Sequence, residues 1–219
     1  VGRGVHRLSQ LASQKYWDAH ERVKRFIGAK EGALVFTRDV TEAVTMVAEG
    51  LAWELGDRVV TTALEESGNL VPWLHLRGKG VVSDVLPVTD GYTIDPAGLG
   101  EIITPRTRLV AITMAAGVLG SIMPVQEIAR ICRDHGALLL LDGTHAVPHL
   151  PVDVRSLGCD FLCLAGDRMY GPAGTGALWM RAPSLEPLSA GGGMVGAVTL
   201  EGYTLAEGYQ KYEAGTPNV

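Results

Sequence analysis

Asp167 and Arg168 follow the apolar run Phe161-Leu162-Cys163-Leu164-Ala165 and precede a glycine-rich turn that leads into a second apolar run, Ala177 to Met180. A strand that stops at Gly166 therefore presents a carboxylate and a guanidinium at its carboxyl end, where α/β proteins place their chemistry. Four other polar loops follow apolar runs: Arg38-Asp39-Val40-Thr41, Glu65 to Asn69, Ala115 to Ser121, and Asp142-Gly143-Thr144-His145. Carboxylates at 66, 142 and 167 with an imidazole at 145 have the composition of a proton-transfer site or of a divalent-cation site, and Arg168 is suited to clamping an anion. No linear metal motif supports the cation reading, and a solvated polar pocket is the simpler account. For Arg168 the simpler account is a salt bridge to Asp142 or Asp167 that neutralises buried charge.

The elements that must position these loops alternate. Leu8, Leu11, Tyr16, Val23 and Ile27 form an apolar face on a long first helix, with Ser9 as cap and Gly28 as stop. Strands are expected at Ala33–Thr37, Arg58–Thr61, Val81–Val88, Arg108–Thr113 and Ala137–Leu141, and helices at Thr41–Leu55, Asp95–Ile103 and from Pro124 to near Gly136. Such alternation over roughly 180 residues argues for a mainly parallel sheet sandwiched by helices, with the polar loops gathered on one edge. The 219 residues suit a single domain, 1–219. A net charge of −5 with dispersed lysines and arginines gives no reason to expect a nucleic-acid partner, and no run is long enough to span a membrane. Cys132, Cys159 and Cys163 have neither metal spacing nor an even count, which fits buried thiols in a reducing cytoplasm. Cys159 and Cys163, four apart, are expected on one side of a strand as packing residues.

Longer matches identify the chain as similar to a known family. Thr41-Glu42-Ala43, Asn69-Leu70-Val71-Pro72-Trp73, Val118-Leu119-Gly120, Asp142-Gly143, the run Ala146 to Val154, Leu157 to Phe161, Tyr170-Gly171-Pro172 and Glu213 to Asn218 resemble the cysteine desulfurases of the class V aminotransferase family. The resemblance implies the fold type I large domain with a seven-stranded sheet, pyridoxal phosphate (PLP) bound as a lysine Schiff base, and two subunits building each site. It also implies a longer full-length protein whose small domain, absent or truncated here, carries the persulfide-forming cysteine and the arginine for the substrate carboxylate.

Against that pattern the site residues depart one by one. Where the family has Ser-Gly-His-Lys, this chain has Ala165-Gly166-Asp167-Arg168, so Arg168 stands in the Schiff-base position. A guanidinium stays protonated and cannot become the amine nucleophile an imine needs. None of the five lysines, Lys15, Lys24, Lys30, Lys79 and Lys211, lies in a candidate loop. The phosphate loop is Asp39-Val40-Thr41, which keeps only Thr41; the ring-stacking histidine falls at Glu66, the asparagine facing the ring hydroxyl at Gly117, and a glutamine at His145. Retained are Asp142, which in the family pairs with the pyridine nitrogen, and Thr216, which reaches the neighbouring subunit's phosphate. Each carboxylate near a phosphate would cost about 1 kcal/mol even at bulk-water screening.

The expectation from sequence is a degenerate cysteine desulfurase-like protein without Schiff-base PLP. It would act as an interaction subunit, homodimeric or paired with a related or small-domain chain, or as a PLP-independent enzyme using Glu66, Asp142, His145, Asp167 and Arg168. The alternative is a PLP-dependent cysteine desulfurase or carbon-sulfur lyase acting on cysteine, and a divalent metal is the other cofactor open to the cleft.

Overall fold

The computed structural model describes residues 4–217; Val1 to Arg3, and Asn218 of the Glu213–Asn218 run, lie outside the described residues. Its seven-stranded sheet is built from β1 (Ala33–Thr37), β2 (Arg58–Thr62), β3 (Val82–Leu86), β4 (Thr107–Thr113), β5 (Leu138–Asp142), β6 (Phe161–Ala165) and β7 (Gly176–Met180), in the order β1-β7-β6-β5-β4-β2-β3. Strands β2 to β6 pair in parallel, while β7 runs antiparallel to both β6 and β1. The carboxyl ends of β1, β2, β4, β5 and β6 therefore share one edge, and the mainly parallel sheet read from the sequence is present.

Alternation of side chains along each strand divides the core into two layers. Val110, Ile112, Leu139, Leu141, Leu162, Leu164 and Trp179 face one layer, covered by α1 (Arg7–Phe26), α4 (Pro96–Ile102) and α5 (Val125–His135). Leu109, Ala111, Leu140, Phe161, Cys163, Leu178 and Met180 face the other, covered by α2 (Val40–Gly50) and α3 (Ser67–His75). A short α6 (Val154–Leu157) precedes β6, and an exposed hairpin of β8 (Val195–Val198) and β9 (Tyr203–Leu205), not expected from the sequence, follows the sheet.

Several local expectations change. Helix α1 is capped by His6, whose Nδ1 accepts from Ser9 N, rather than by Ser9, and Leu8 and Leu11 are exposed. Helix α2 ends at Gly50 rather than Leu55. Chain from the far side of β7 crosses there: the Gly50 carbonyl accepts from Glu186 N at 2.9 Å, and a Cβ on Gly50 would lie 2.7 Å from Glu186 O. Cys159 and Cys163 face opposite layers, because Cys159 precedes β6 instead of lying in it. All three thiols are buried, and burial pushes Cys132 and Cys159 up to about 12 and raises Cys163 well above the ordinary thiol range.

Carboxylates complete the sheet where strand partners run out. Phe36 N on edge strand β1 donates to Glu213 Oε1 at 2.7 Å, Leu139 N to Asp160 Oδ2 at 2.9 Å, and Thr113 N at the end of β4 to Glu65 Oε1 at 3.0 Å. Glu213 also accepts from Tyr16 OH at 2.8 Å and pairs with the buried His20 at 2.9 Å, so one side chain, 12% exposed, ties the C-terminal segment to α1 and β1. Glu213→Ala leaves those donors unpaired, and chemical denaturation should show a loss of about 2–4 kcal/mol; a loss within error would refute the tie.

Glu65 carries a pH signature. Burial raises its carboxyl to about 7, opposed by hydrogen bonds from Thr62, Thr113 and Asn69 and reinforced by the charge of Asp142. Because the folded state holds this proton more tightly than the unfolded chain, its contribution is complete below about pH 4.5 and is lost as pH rises through about 7. Stability should thus fall across that window by an amount on the order of 1–3 kcal/mol, with a shallower slope in Glu65→Gln measured by urea titration at each pH.

Candidate active site

The polar loops meet at the carboxyl edge, and β5 supplies the centre. Asp142 ends that strand with only 4% exposure, and its Oδ1 accepts from Thr144 N at 2.9 Å. Burial raises its carboxyl above the ordinary range; the Thr144 groups and His145 oppose the rise, and Glu66 adds to it. The Thr144 hydroxyl, buried beside the same carboxylate, has no hydrogen-bond partner of good geometry. A buried acid short of positive charge, next to an unsatisfied hydroxyl, suits a ligand that carries a cationic N–H together with a polar substituent.

Three positions read separately in the sequence form one contact. His145 Nε2 lies 2.6 Å from Glu66 Oε1, and a Cβ built on Gly117 would stand 2.5 Å from that nitrogen and 2.8 Å from that oxygen. Glu66 is the N-cap residue of α3 yet makes no side-chain cap hydrogen bond, so its carboxylate serves the imidazole. Beneath this pair lies Glu65, a residue the sequence reading passed over as part of the polar loop. Its Oε1 accepts from the Thr62 hydroxyl at 2.7 Å and from Thr113 N, and its Oε2 accepts from Asn69 Nδ2 at 2.6 Å. The signal in the sequence was the flanking pair Thr62 and Asn69, three residues before and four after.

The two carboxylates expected to repel a phosphate each have a local partner. Asp39 caps α2, accepting from Glu42 N at 2.8 Å, and its charge is directed to the helix N-terminus. Asp167 pairs with Arg168, Nε to Oδ2 at 3.7 Å, in a 3₁₀ turn over Gly166–Met169 where both are about half exposed. Of the two partners expected for Arg168, Asp167 is the one observed; the pair is exposed and contributes little stability. Thr41 lies exposed in the first turn of α2, and a Cβ on Gly68 would stand 3.1 Å from its hydroxyl. That leaves a small-residue gap between the starts of α2 and α3. Thr216 is exposed on the C-terminal segment anchored by Glu213.

The cation-site reading fails on this geometry. Among the described residues no group of three or more His, Cys, Asp or Glu side chains could hold a metal ion, so Glu66, Asp142, His145 and Asp167 do not converge as a cation site. A cavity of about 850 Å³ between α1, β1 and the C-terminal segment, bordered by Tyr16, Thr37, Gly171, Glu213 and Pro217, is not lined by Glu66, Asp142 or His145. No helix among the described residues is long and apolar enough to cross a membrane.

Comparison with known proteins matches this geometry to a family. The cysteine desulfurase of Dickeya dadantii is 39% identical over 228 residues, covering all of this chain and 55% of its own length. The apo structure of the cysteine desulfurase from Thermococcus onnurineus superposes with a TM-score of 0.93 at 38% identity, over 99% of this chain and 56% of that one. The chain thus spans about half the length of the relatives it matches. A C-DES variant with one lysine replaced, carrying glycine covalently linked to its PLP cofactor, shares the fold at TM-score 0.87 and 24% identity over 96% of this chain. These relatives overturn the expectation that no PLP belongs with this chain, and they favour the desulfurase alternative over a degenerate protein. Here the two suspect carboxylates are locally satisfied, so the substitutions that suggested exclusion do not establish it. The aminotransferase class-V model matches residues 1–219, and the chain belongs to that family, among its cysteine desulfurase-like members.

Proposed function

We propose that this chain is the large domain of a PLP-binding protein that cleaves the carbon–sulfur bond of cysteine, as a desulfurase or a lyase. The observation that carries the reading is Asp142, a buried carboxylate at the end of β5 whose carboxyl is raised above the ordinary range by burial. PLP supplies an electrophilic aldehyde and an electron-accepting ring. Asp142 would hold the pyridine N–H, gaining the positive partner its buried charge lacks. Thr41 and the N-terminus of α2 would receive the phosphate, with Asp39 withdrawn into its capping bond. Arg168 contributes positive charge beside Asp167.

Incubation with PLP followed by desalting should leave about one cofactor per chain, read by absorbance. Asp142→Ala should weaken retention about 10–100-fold, the effect of losing one charge-assisted hydrogen bond. L-cysteine added to the loaded full-length protein should release sulfide in the presence of a thiol reductant. A protein that retains no PLP, or whose Asp142→Ala variant retains it unchanged, would overturn the assignment.

A further inference from the structure

The contact among Glu66, Gly117 and His145 has a chemical direction. An ionised carboxylate has no hydrogen to give, so the hydrogen in the 2.6 Å bond belongs to His145 Nε2. In the neutral form of the ring that bond leaves the lone pair on Nδ1, and among the described residues Nδ1 has no hydrogen-bond partner. The imidazole is 23% exposed, which leaves it both held and reachable. Its neighbour across the cluster is Asp142, which responds to the charges of both Glu66 and His145. Arg168 remains a cation and takes up no proton. Asp142 is occupied by the Thr144 N–H, and Glu65 by three donors. His145 Nδ1 is the nitrogen of the cluster with a free lone pair.

We propose that Glu66 and His145 form a proton-transfer dyad in which His145 Nδ1 accepts a proton from the ammonium group of an incoming amino acid. The N–H bond breaks, the proton moves to Nδ1, and the electron pair stays on the substrate nitrogen as the lone pair of a neutral amine. Glu66 is a positioning residue: it sets the tautomer and stabilises the imidazolium that results. Gly117 leaves room for the pair as it stands, since a Cβ there would press on the ends of both side chains. The substrate class rests on the PLP reading above; the dyad itself does not.

Two measurements separate these levels. Nitrogen-15 NMR of histidine-labelled protein without cofactor, with His145→Gln identifying the resonance, should show His145 in the Nε2–H form. Glu66→Gln and Gly117→Ala should each abolish that preference in protein that remains folded. In PLP-loaded protein, the absorbance change on adding glycine, which has no sulfur to lose, should be at least about 100-fold slower in His145→Gln at unchanged cofactor retention. An Nδ1–H tautomer in the wild type, or an equal rate in His145→Gln, overturns the dyad. Failure to retain PLP overturns the functional reading alone, and the tautomer still decides the dyad.

Discussion

The hydrogen bonds to Glu65 hold the candidate site together. Strand β2 pairs with β4 only as far as Val60 and Val110, so beyond that point the N–H of Thr113 needs another acceptor. Glu65 supplies it from the loop that follows β2, and the same carboxylate gathers Thr62 and Asn69. Thr113 leads into the chain bearing Gly117, and Glu65 is bonded to the residue that holds His145. One half-buried acid therefore joins two strand ends and sets the separation of the loops that carry the Glu66–His145 pair. A buried carboxylate is tolerated here because three donors oppose its desolvation.

The same device recurs at Phe36 and Leu139, where Glu213 and Asp160 take up backbone hydrogens. In each case the acceptor lies far in sequence from the donor: 177 residues for Glu213, 48 for Glu65 and 21 for Asp160. Much of the acidic character of the sheet edge is therefore structural, committed to backbone and side-chain donors before any ligand arrives. Asp39 and Asp167 belong to this group as well, one satisfied by the first turn of α2 and the other by Arg168. Counting them as free negative charges overstates the repulsion a phosphate would meet.

The strands were legible because apolar runs bounded by glycine and charge have few other uses, and the parallel arrangement followed from their alternation with helices. What the runs could not convey was partnership. The end of α2 at Gly50 depends on Glu186, 136 residues away. The exposure of Leu8 and Leu11 shows the converse: helical periodicity marks an apolar face without saying what covers it. For the site, Glu65 was passed over beside Glu66 because adjacent carboxylates look equivalent until one is seen buried and bonded.

Substitutions at one pocket are not independent observations. Glu66, Gly117 and His145 look like three losses when each is set against a family pattern, and three losses argue for decay. Their geometry makes them one substitution in three parts. A Cβ at residue 117 would stand 2.5 Å from the ring nitrogen and 2.8 Å from the carboxylate oxygen, so the ends of both side chains would have to shift to admit it. The three positions form one polar arrangement at the sheet edge that carries Asp142, and a change at any one of them bears on the other two.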